Sequence, residues 1–257
     1  MPRYKLIVEY DGTPYRGWQY QADVPSVQGA IEDAIARFDG QRVTIQGAGR
    51  TDAGVHALAQ VAAFDTAARL SPQEFMRGLN HFLPADIAVQ AAREAHADFD
   101  PRRHARMRTY RYRIDTSPAR SPLTRNRAWQ IGRRLDVDAM RSAARAMLGS
   151  HDFAAFAGPY EGSTQRTLMR CDVEADGREV AVEMEAQSFL PHQVRRTVGP
   201  LTEIGLGRQR EEDVVALLDG GAASTAGPAA PACGLYLVGI EYDGFAIEPA
   251  EGNGQEA

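Results

Sequence analysis

The sequence predicts an α+β fold made of two similarly built lobes. Segments with strand periodicity and segments with helical periodicity are mixed in both halves of the chain, most connections are short, and the second half repeats the rhythm of the first. With 257 residues, the chain can bury a large core without disulfides or metals. We place the lobes at residues 1–106 and 107–243, with the join near residues 98–108. A disordered tail is expected over residues 244–257.

Six elements are predicted in the first half. One helix begins after Ser26, a suitable N-cap ahead of apolar residues at helical spacing. A second helix begins at Ser71, where Pro72 and Glu74 complete a helix-start signature. Strands are predicted at residues 5–10, 42–45, 59–64 and 87–91.

Seven elements are predicted in the second half. Asp136 caps a helix that Gly149 ends, and Pro191 opens a helix with apolar residues at helical spacing. A short helix covers residues 211–218. Strands are predicted at residues 109–114, 167–173, 179–185 and 235–242.

The composition excludes several classes of protein. No run of 18 apolar residues exists, so a membrane span is excluded, and the N-terminal segment has no signal-peptide core. Cys171 and Cys233 are isolated, which predicts neither disulfides nor a zinc site and suits the reducing cytoplasm. The six histidines lack ligand spacing, so no metal site is predicted. No phosphate-binding loop with a Gly-Lys-Ser/Thr ending is present, which argues against ATP use.

Positive charge is concentrated in one part of an acidic chain. The whole chain has 29 basic and 34 acidic residues, yet the segment from Arg102 to Arg134 has Asp115 as its one acid beside many arginines. Such a stripe is typical of nucleic-acid binding, and it is equally compatible with a solvated strand-and-loop region. Its eleven arginines are residues 102, 103, 106, 108, 111, 113, 120, 125, 127, 133 and 134.

A glycine-rich loop over residues 47–56 is the first candidate site. Its Gly-x-Gly start resembles a dinucleotide-binding loop, but Asp52 stands where the third glycine belongs and would repel a pyrophosphate. The loop instead contains one acidic residue, Asp52, and one basic residue, Arg50. The glycines around them allow close approach of a substrate. The alternative is a tight connection between strands that carries a surface ion pair.

Two further segments are candidates. On the strand at 109–114, Tyr110 and Tyr112 share one face, while Arg111 and Arg113 share the other. Aromatic rings interleaved with arginines can stack bases and hold phosphates, although core tyrosines with solvated arginines give the same pattern. On the helix predicted at 191, Arg195 lies beside the buried face and could point into a cleft or into solvent.

These segments together resemble the family of tRNA pseudouridine synthases that act on uridines 38, 39 and 40 of the anticodon stem-loop. The resemblance runs from Tyr4 to about Tyr242, with Pro101 departing from the alanine that the family usually has. The matching segments, in family order, are residues 10–13, 17–19, 49–56, 79–80, 83–84, 86–87, 110–112, 151–153, 189–190, 194–195 and 234–237.

The resemblance implies a pseudouridine synthase fold, in which the two lobes share a mixed, largely antiparallel central sheet flanked by helices. It implies that Asp52 is the nucleophile and that Arg195 pairs with it, which would favour its ionised form. It further implies that Tyr110 stacks on the uracil and helps to remove the C5 proton, and that Arg50 helps to flip the base. Supporting roles fall to Thr51, Gly54, His56 and Tyr112.

The resemblance also implies that tRNA is the substrate and that the protein is a homodimer without a cofactor. The reaction breaks the N1–C1′ bond and rejoins the uracil through C5, so no group is gained and no redox change occurs. Two alternatives are a non-catalytic RNA-binding protein and a small-nucleoside glycosidase, which would not need the arginine-rich stretch. The residues leave open whether Asp52 attacks C1′ or C6 or whether a glycal forms.

Overall fold

The computed structural model describes residues 1–220 and 225–244. It confirms the α+β class, with a large mixed sheet and helices packed against it. The helices are α1 (Val27–Asp39), α2 (Pro72–Phe82), α3 (Val137–Ala146), α4 (Gln193–Gly205) and α5 (Glu211–Asp219). The strands are β1 (Arg3–Tyr10), β2 (Gln46–Gly47), β3 (His56–Asp65), β4 (Ile87–Ala95), β5 (Ala105–Asp115), β6 (Trp129–Gln130), β7 (Gly149–Asp152), β8 (Gln165–Asp176), β9 (Glu179–Ala186) and β10 (Leu235–Tyr242).

A single sheet joins the two halves of the chain. The strand order is β4-β1-β3-β10-β5-β9-β8-β7, while β2 pairs with β3 and β6 pairs with β5. The pairs β3–β10 and β5–β6 are parallel, and the other pairs are antiparallel. The last strand, β10, therefore lies in the middle of the sheet, between strands from the two halves.

The helices begin where local sequence predicts. The Ser26 hydroxyl accepts a hydrogen bond from the Gly29 N–H at 3.2 Å, and α1 ends at Gly40, which has a φ of 72°. Ser71 and Glu74 form a reciprocal capping box at the start of α2. The Asp136 side chain accepts from the Ala139 N–H at the start of α3.

One apolar core runs under most of the sheet. Tyr4 and Leu6 of β1 face Phe75 and Leu79 of α2 in the first half, and helices α3 and α4 pack in the second. A smaller cluster forms on the opposite face, around Phe99. Each large apolar side chain buried in this way contributes about 1.5–3 kcal/mol to the hydrophobic free energy of folding. No helix among the described residues is long and apolar enough to cross a membrane.

Three predicted boundaries are wrong. Helix α3 ends at Ala146, before Gly149, because the chain turns at Met147 and Gly149 already begins β7. Residues 42–45 form no strand, because the Ile45 N–H donates to the Glu32 side chain at 3.0 Å and the strand begins only at Gln46. Helix α4 begins at Gln193 and not at Pro191, because His192 has a left-handed φ of 62° that interrupts helical geometry. The tail predicted to be disordered lies, apart from Gly244, outside the described residues.

Candidate active site

The loop that carries Asp52 is anchored by the N-terminal segment of the chain. The Thr51 carbonyl accepts from the Trp18 N–H at 3.1 Å, and the Gly54 N–H donates to the Tyr15 carbonyl at 3.2 Å. The hydroxyl groups of Thr51 and Tyr10 lie 2.8 Å apart in the interior. Thr51 and Gly54 therefore anchor the loop on both sides of Asp52, through the backbone of both residues and the Thr51 hydroxyl.

Two glycines of the N-terminal segment allow this close approach. A Cβ atom at Gly12 would lie 1.9 Å from the Val55 carbonyl oxygen, so only glycine fits. Gly17 has a φ of 97°, and a Cβ atom there would lie 2.6 Å from the Thr51 carbonyl oxygen. The segment over residues 10–19 is thus packed directly against the backbone of the loop.

His56 connects the same segments from the interior. It is 1% exposed, its Nδ1 accepts from the Gly12 N–H at 3.1 Å, and its ring stacks on Tyr236 with centroids 4.7 Å apart. Burial lowers the pKa of His56, against the opposing effect of Asp11, so the imidazole is neutral at physiological pH. His56 joins β3 to β10 and to the N-terminal segment.

Two side chains from the start of α4, Arg195 and His192, contact the Asp52 carboxylate. Its Oδ2 lies 2.9 Å from Arg195 Nη1 and 3.1 Å from His192 Nδ1. Arg195 Nε also donates to the Ala230 carbonyl at 2.7 Å, which orients the guanidinium group. The Arg195–Asp52 contact expected from the resemblance is present, and His192 adds a second one.

Tyr110 forms the apolar wall of the site. Its side chain is buried, and its ring packs edge-to-face on Phe189 with centroids 5.2 Å apart. Burial raises the pKa of Tyr110 to about 12, with Arg108 opposing the shift, so the phenol is protonated near neutral pH. Tyr112 lies on the same face of β5 but is fully buried, and its hydroxyl donates to the Pro231 carbonyl at 2.7 Å.

Asp52, Tyr110 and Arg195 line a cleft of about 610 Å³, whereas Tyr112, His56 and Gly54 lie outside its lining. Asp52 is the acid of its lining, and Arg50 is exposed at its edge without a hydrogen bond or ion pair among the described residues. The lining is strongly positive, which suits a polyanionic substrate. The other arginines of the lining are Arg102, Arg108, Arg166 and Arg195.

The arginine-rich stretch does not form one continuous basic surface. Arg111 and Arg113 lie on the face of β5 opposite Tyr110 and pair with Glu183 and Glu179, each at 2.7 Å. For Arg111 and Arg113, the alternative of core tyrosines with arginines on the solvent side of the strand is correct. Other members pair with acids elsewhere, as in the contacts Arg103–Asp100, Arg106–Asp243 and Arg127–Asp11.

Sequence reasoning missed the roles of Arg108 and His192. The Arg108 guanidinium is buried and donates to the carbonyls of Ala48, Arg102 and Gln187, so it joins three segments that border the cleft. Strand alternation would have placed Arg108 on the face of Tyr110. No sequence signal points to His192, because its left-handed backbone is not predictable for a histidine.

The part of the chain that the structure describes contains no group of three or more histidine, cysteine, aspartate or glutamate side chains able to hold a metal ion.

Most of the chain is similar to proteins of one family. A family model described as tRNA pseudouridine synthase matches residues 6–102 and 143–243. The chain is 48% identical over 246 residues to tRNA pseudouridine synthase A of Rhodopseudomonas palustris strain BisA53, which covers 95% of this chain and 100% of the relative. It is 46% identical over 245 residues to the proteins of the same name from Bradyrhizobium diazoefficiens and Xanthobacter autotrophicus, covering 94% of this chain and 100% of each relative.

Proposed function

The chain belongs to the tRNA pseudouridine synthase family, and we propose that it isomerises uridine to pseudouridine at positions 38, 39 and 40 in the anticodon stem-loop of tRNA. The observation that carries this proposal is the Asp52 carboxylate, which is held by Arg195 inside a cleft lined otherwise by arginines and apolar side chains. A protein that only bound RNA would gain nothing from a carboxylate that faces a polyanion.

In the proposed reaction, the target uridine first leaves its stack, which costs a few kcal/mol. We assign Arg50, an exposed residue of the cleft lining, the role of occupying the space that the base vacates. Asp52 then acts as the nucleophile, and the bond that its carboxylate forms to the substrate breaks again before the product leaves. The N1–C1′ bond breaks, a C5–C1′ bond forms, the proton leaves C5 and N1 gains one, so atoms and electrons balance without a cofactor.

Arg195 and Tyr110 support this chemistry in different ways. Arg195 Nη1 donates a hydrogen bond to Asp52 Oδ2 at 2.9 Å, which restricts the direction of the carboxylate. The Tyr110 ring, backed by Phe189, offers a flat apolar surface for the uracil. Because its phenol is protonated near neutrality, Tyr110 is better suited to stacking and hydrogen-bond donation than to removing the C5 proton unaided.

The proposal also covers the oligomeric state, the cellular location and the division of the chain into lobes. We infer a homodimer that binds tRNA, as the family resemblance implies, and a cytoplasmic location, which the two isolated cysteines favour. The division into lobes at residues 1–106 and 107–243 also stays a proposal, and its boundary falls within β5. Light scattering of the purified protein, alone and with tRNA, tests the homodimer.

The proposed activity is tested with unmodified tRNA that carries tritium at uridine C5. We expect the pure protein to release tritium into water without any added cofactor, and pseudouridine to be found at positions 38 to 40. Release of free uracil from nucleosides would instead indicate a glycosidase. Binding of tRNA without tritium release would indicate a non-catalytic RNA-binding protein.

Binding of tRNA is expected to weaken with salt, because the cleft would neutralise phosphates. If Arg50, Arg102 and Arg166 each contact one phosphate, affinity should fall about 20- to 40-fold between about 50 and 200 mM salt. Arg102→Ala and Arg166→Ala should each lower the log–log slope by about 1. Arg111→Ala is the matched control, since Arg111 is paired with Glu183 on the opposite face of the sheet. A salt-independent affinity would contradict the assigned role of the cleft.

A further inference from the structure

His192 contacts the same oxygen of Asp52 as Arg195 does. We propose that His192 is a positioning residue, which together with Arg195 holds Asp52 Oδ2 and leaves Oδ1 as the atom that attacks the substrate. This inference rests on the proposed function, because it assigns a role within that reaction.

The two oxygen atoms of the Asp52 carboxylate have different surroundings. Asp52 Oδ2 lies 2.9 Å from Arg195 Nη1 and 3.1 Å from His192 Nδ1, whereas Oδ1 receives no hydrogen bond within residues 1–220 and 225–244. Arg195 donates a hydrogen bond to Oδ2, and His192 Nδ1 lies in contact with the same oxygen, so both side chains restrict rotation of the carboxylate plane. The unbound oxygen then has a fixed direction, which is what a nucleophile needs for a productive approach.

The backbone conformation of His192 also supports the proposed role. His192 is the N-cap of α4, yet it has a left-handed φ of 62°, which is unfavourable for a residue with a Cβ atom. An N-cap side chain usually accepts a hydrogen bond from the first turn of its helix, and that of His192 does not. The strained backbone directs the imidazole to Asp52, and such strain is typical of functional positions.

The packing of the His192 imidazole against Gly158 supports the same role. A Cβ atom at Gly158 would lie 2.4 Å from His192 Cδ2, so the ring rests against the bare backbone of that glycine. The Gly158 N–H also donates to the Pro191 carbonyl at 2.7 Å, which ties the two segments together. The imidazole is therefore held between Gly158 on one side and Asp52 on the other.

The test compares variants that separate the hydrogen bond from the backbone strain. His192→Gly removes the donor and relaxes the backbone, His192→Ala removes the donor and keeps a Cβ atom, and His192→Asn keeps an N–H donor near the position of Nδ1 and tolerates positive φ. Asp23→Gly is the matched control, because Asp23 has a φ of 62° in an exposed turn and does not belong to the cleft lining. The readouts are single-turnover tritium release, tRNA affinity and melting temperature.

We expect His192→Gly and His192→Ala to slow single-turnover release about 10- to 100-fold, the effect of losing one hydrogen bond to a charged group. Affinity for tRNA and melting temperature should stay close to those of the wild type, and His192→Asn should recover most of the lost rate. Asp23→Gly should leave the rate unchanged.

Equal rates for the wild type and both donor-free variants would overturn the inference and leave the proposed function intact. A rate in His192→Asn as low as in His192→Gly, or a loss that follows melting temperature, would also overturn it. If the wild type releases no tritium, the proposed function fails, and this inference fails with it.

Discussion

Asp52→Asn is expected to lower tritium release by about 10⁴-fold or more, because the amide cannot act as the nucleophile in the proposed reaction. Binding of tRNA should stay the same or become tighter, since the substitution removes the one negative charge from an arginine-lined cleft. The measurements are single-turnover tritium release and tRNA affinity at one salt concentration.

The control for this variant is Asp33→Asn, which removes a carboxylate of the same type from an exposed ion pair with Arg42. It should retain wild-type turnover and affinity. If Asp52→Asn lost tRNA binding while the bound fraction still turned over, Asp52 would be a binding residue, and the nucleophile would have to be sought elsewhere. The binding-protein alternative predicts no tritium release from the wild type or from either variant.

Gly12→Ala is expected to destabilise the fold and to lower turnover together. The new Cβ atom would lie 1.9 Å from the carbonyl oxygen and 2.5 Å from the carbonyl carbon of Val55. Because both atoms are backbone, no side-chain rotation can relieve the overlap. We expect the free energy of unfolding to fall by about 3 kcal/mol, equivalent to roughly 6–12 °C in melting temperature for a chain of this size.

The effect on turnover should exceed what instability alone would cause, because Val55 lies three residues from Asp52 in the same loop. A displacement of about 1 Å at a reacting group can lower a rate about 10²-fold. Gly239→Ala is the control, since its nearest neighbour, Thr109, would lie 3.7 Å from the added Cβ atom. Wild-type stability and turnover in Gly12→Ala would show that the close approach to Val55 is unnecessary.

The helix starts were predictable because their causes are local. Ser26, Ser71 and Asp136 each cap a helix through a hydrogen bond to a backbone N–H three residues later, so a short window of sequence contains the whole interaction. The strand predicted at 42–45 failed for the opposite reason. Its last N–H is satisfied by Glu32, a side chain from α1, and no local pattern reveals that contact.

The candidate site was predictable only in part. Asp52 stood out because a carboxylate in a glycine-rich loop is unusual, but its pairing with Arg195 joins residues 143 positions apart and followed from the family resemblance. The arginine-rich stretch over residues 102–134 predicted more basic surface than the structure has. Alternation along β5 sends Arg111 and Arg113 away from Tyr110, and acids about 70 residues later in the chain neutralise them.

The position of β10 has a consequence for synthesis of the protein. Strands β3 and β5 are both made long before β10, yet β10 is the element that pairs with each and joins the two halves of the sheet. A nascent chain that has not reached Tyr242 therefore carries two incomplete sheets with open edges, which are liable to pair with other chains. Because Asp52 and Arg195 belong to opposite sides of this junction, the cleft can assemble only after the ribosome has delivered the last strand.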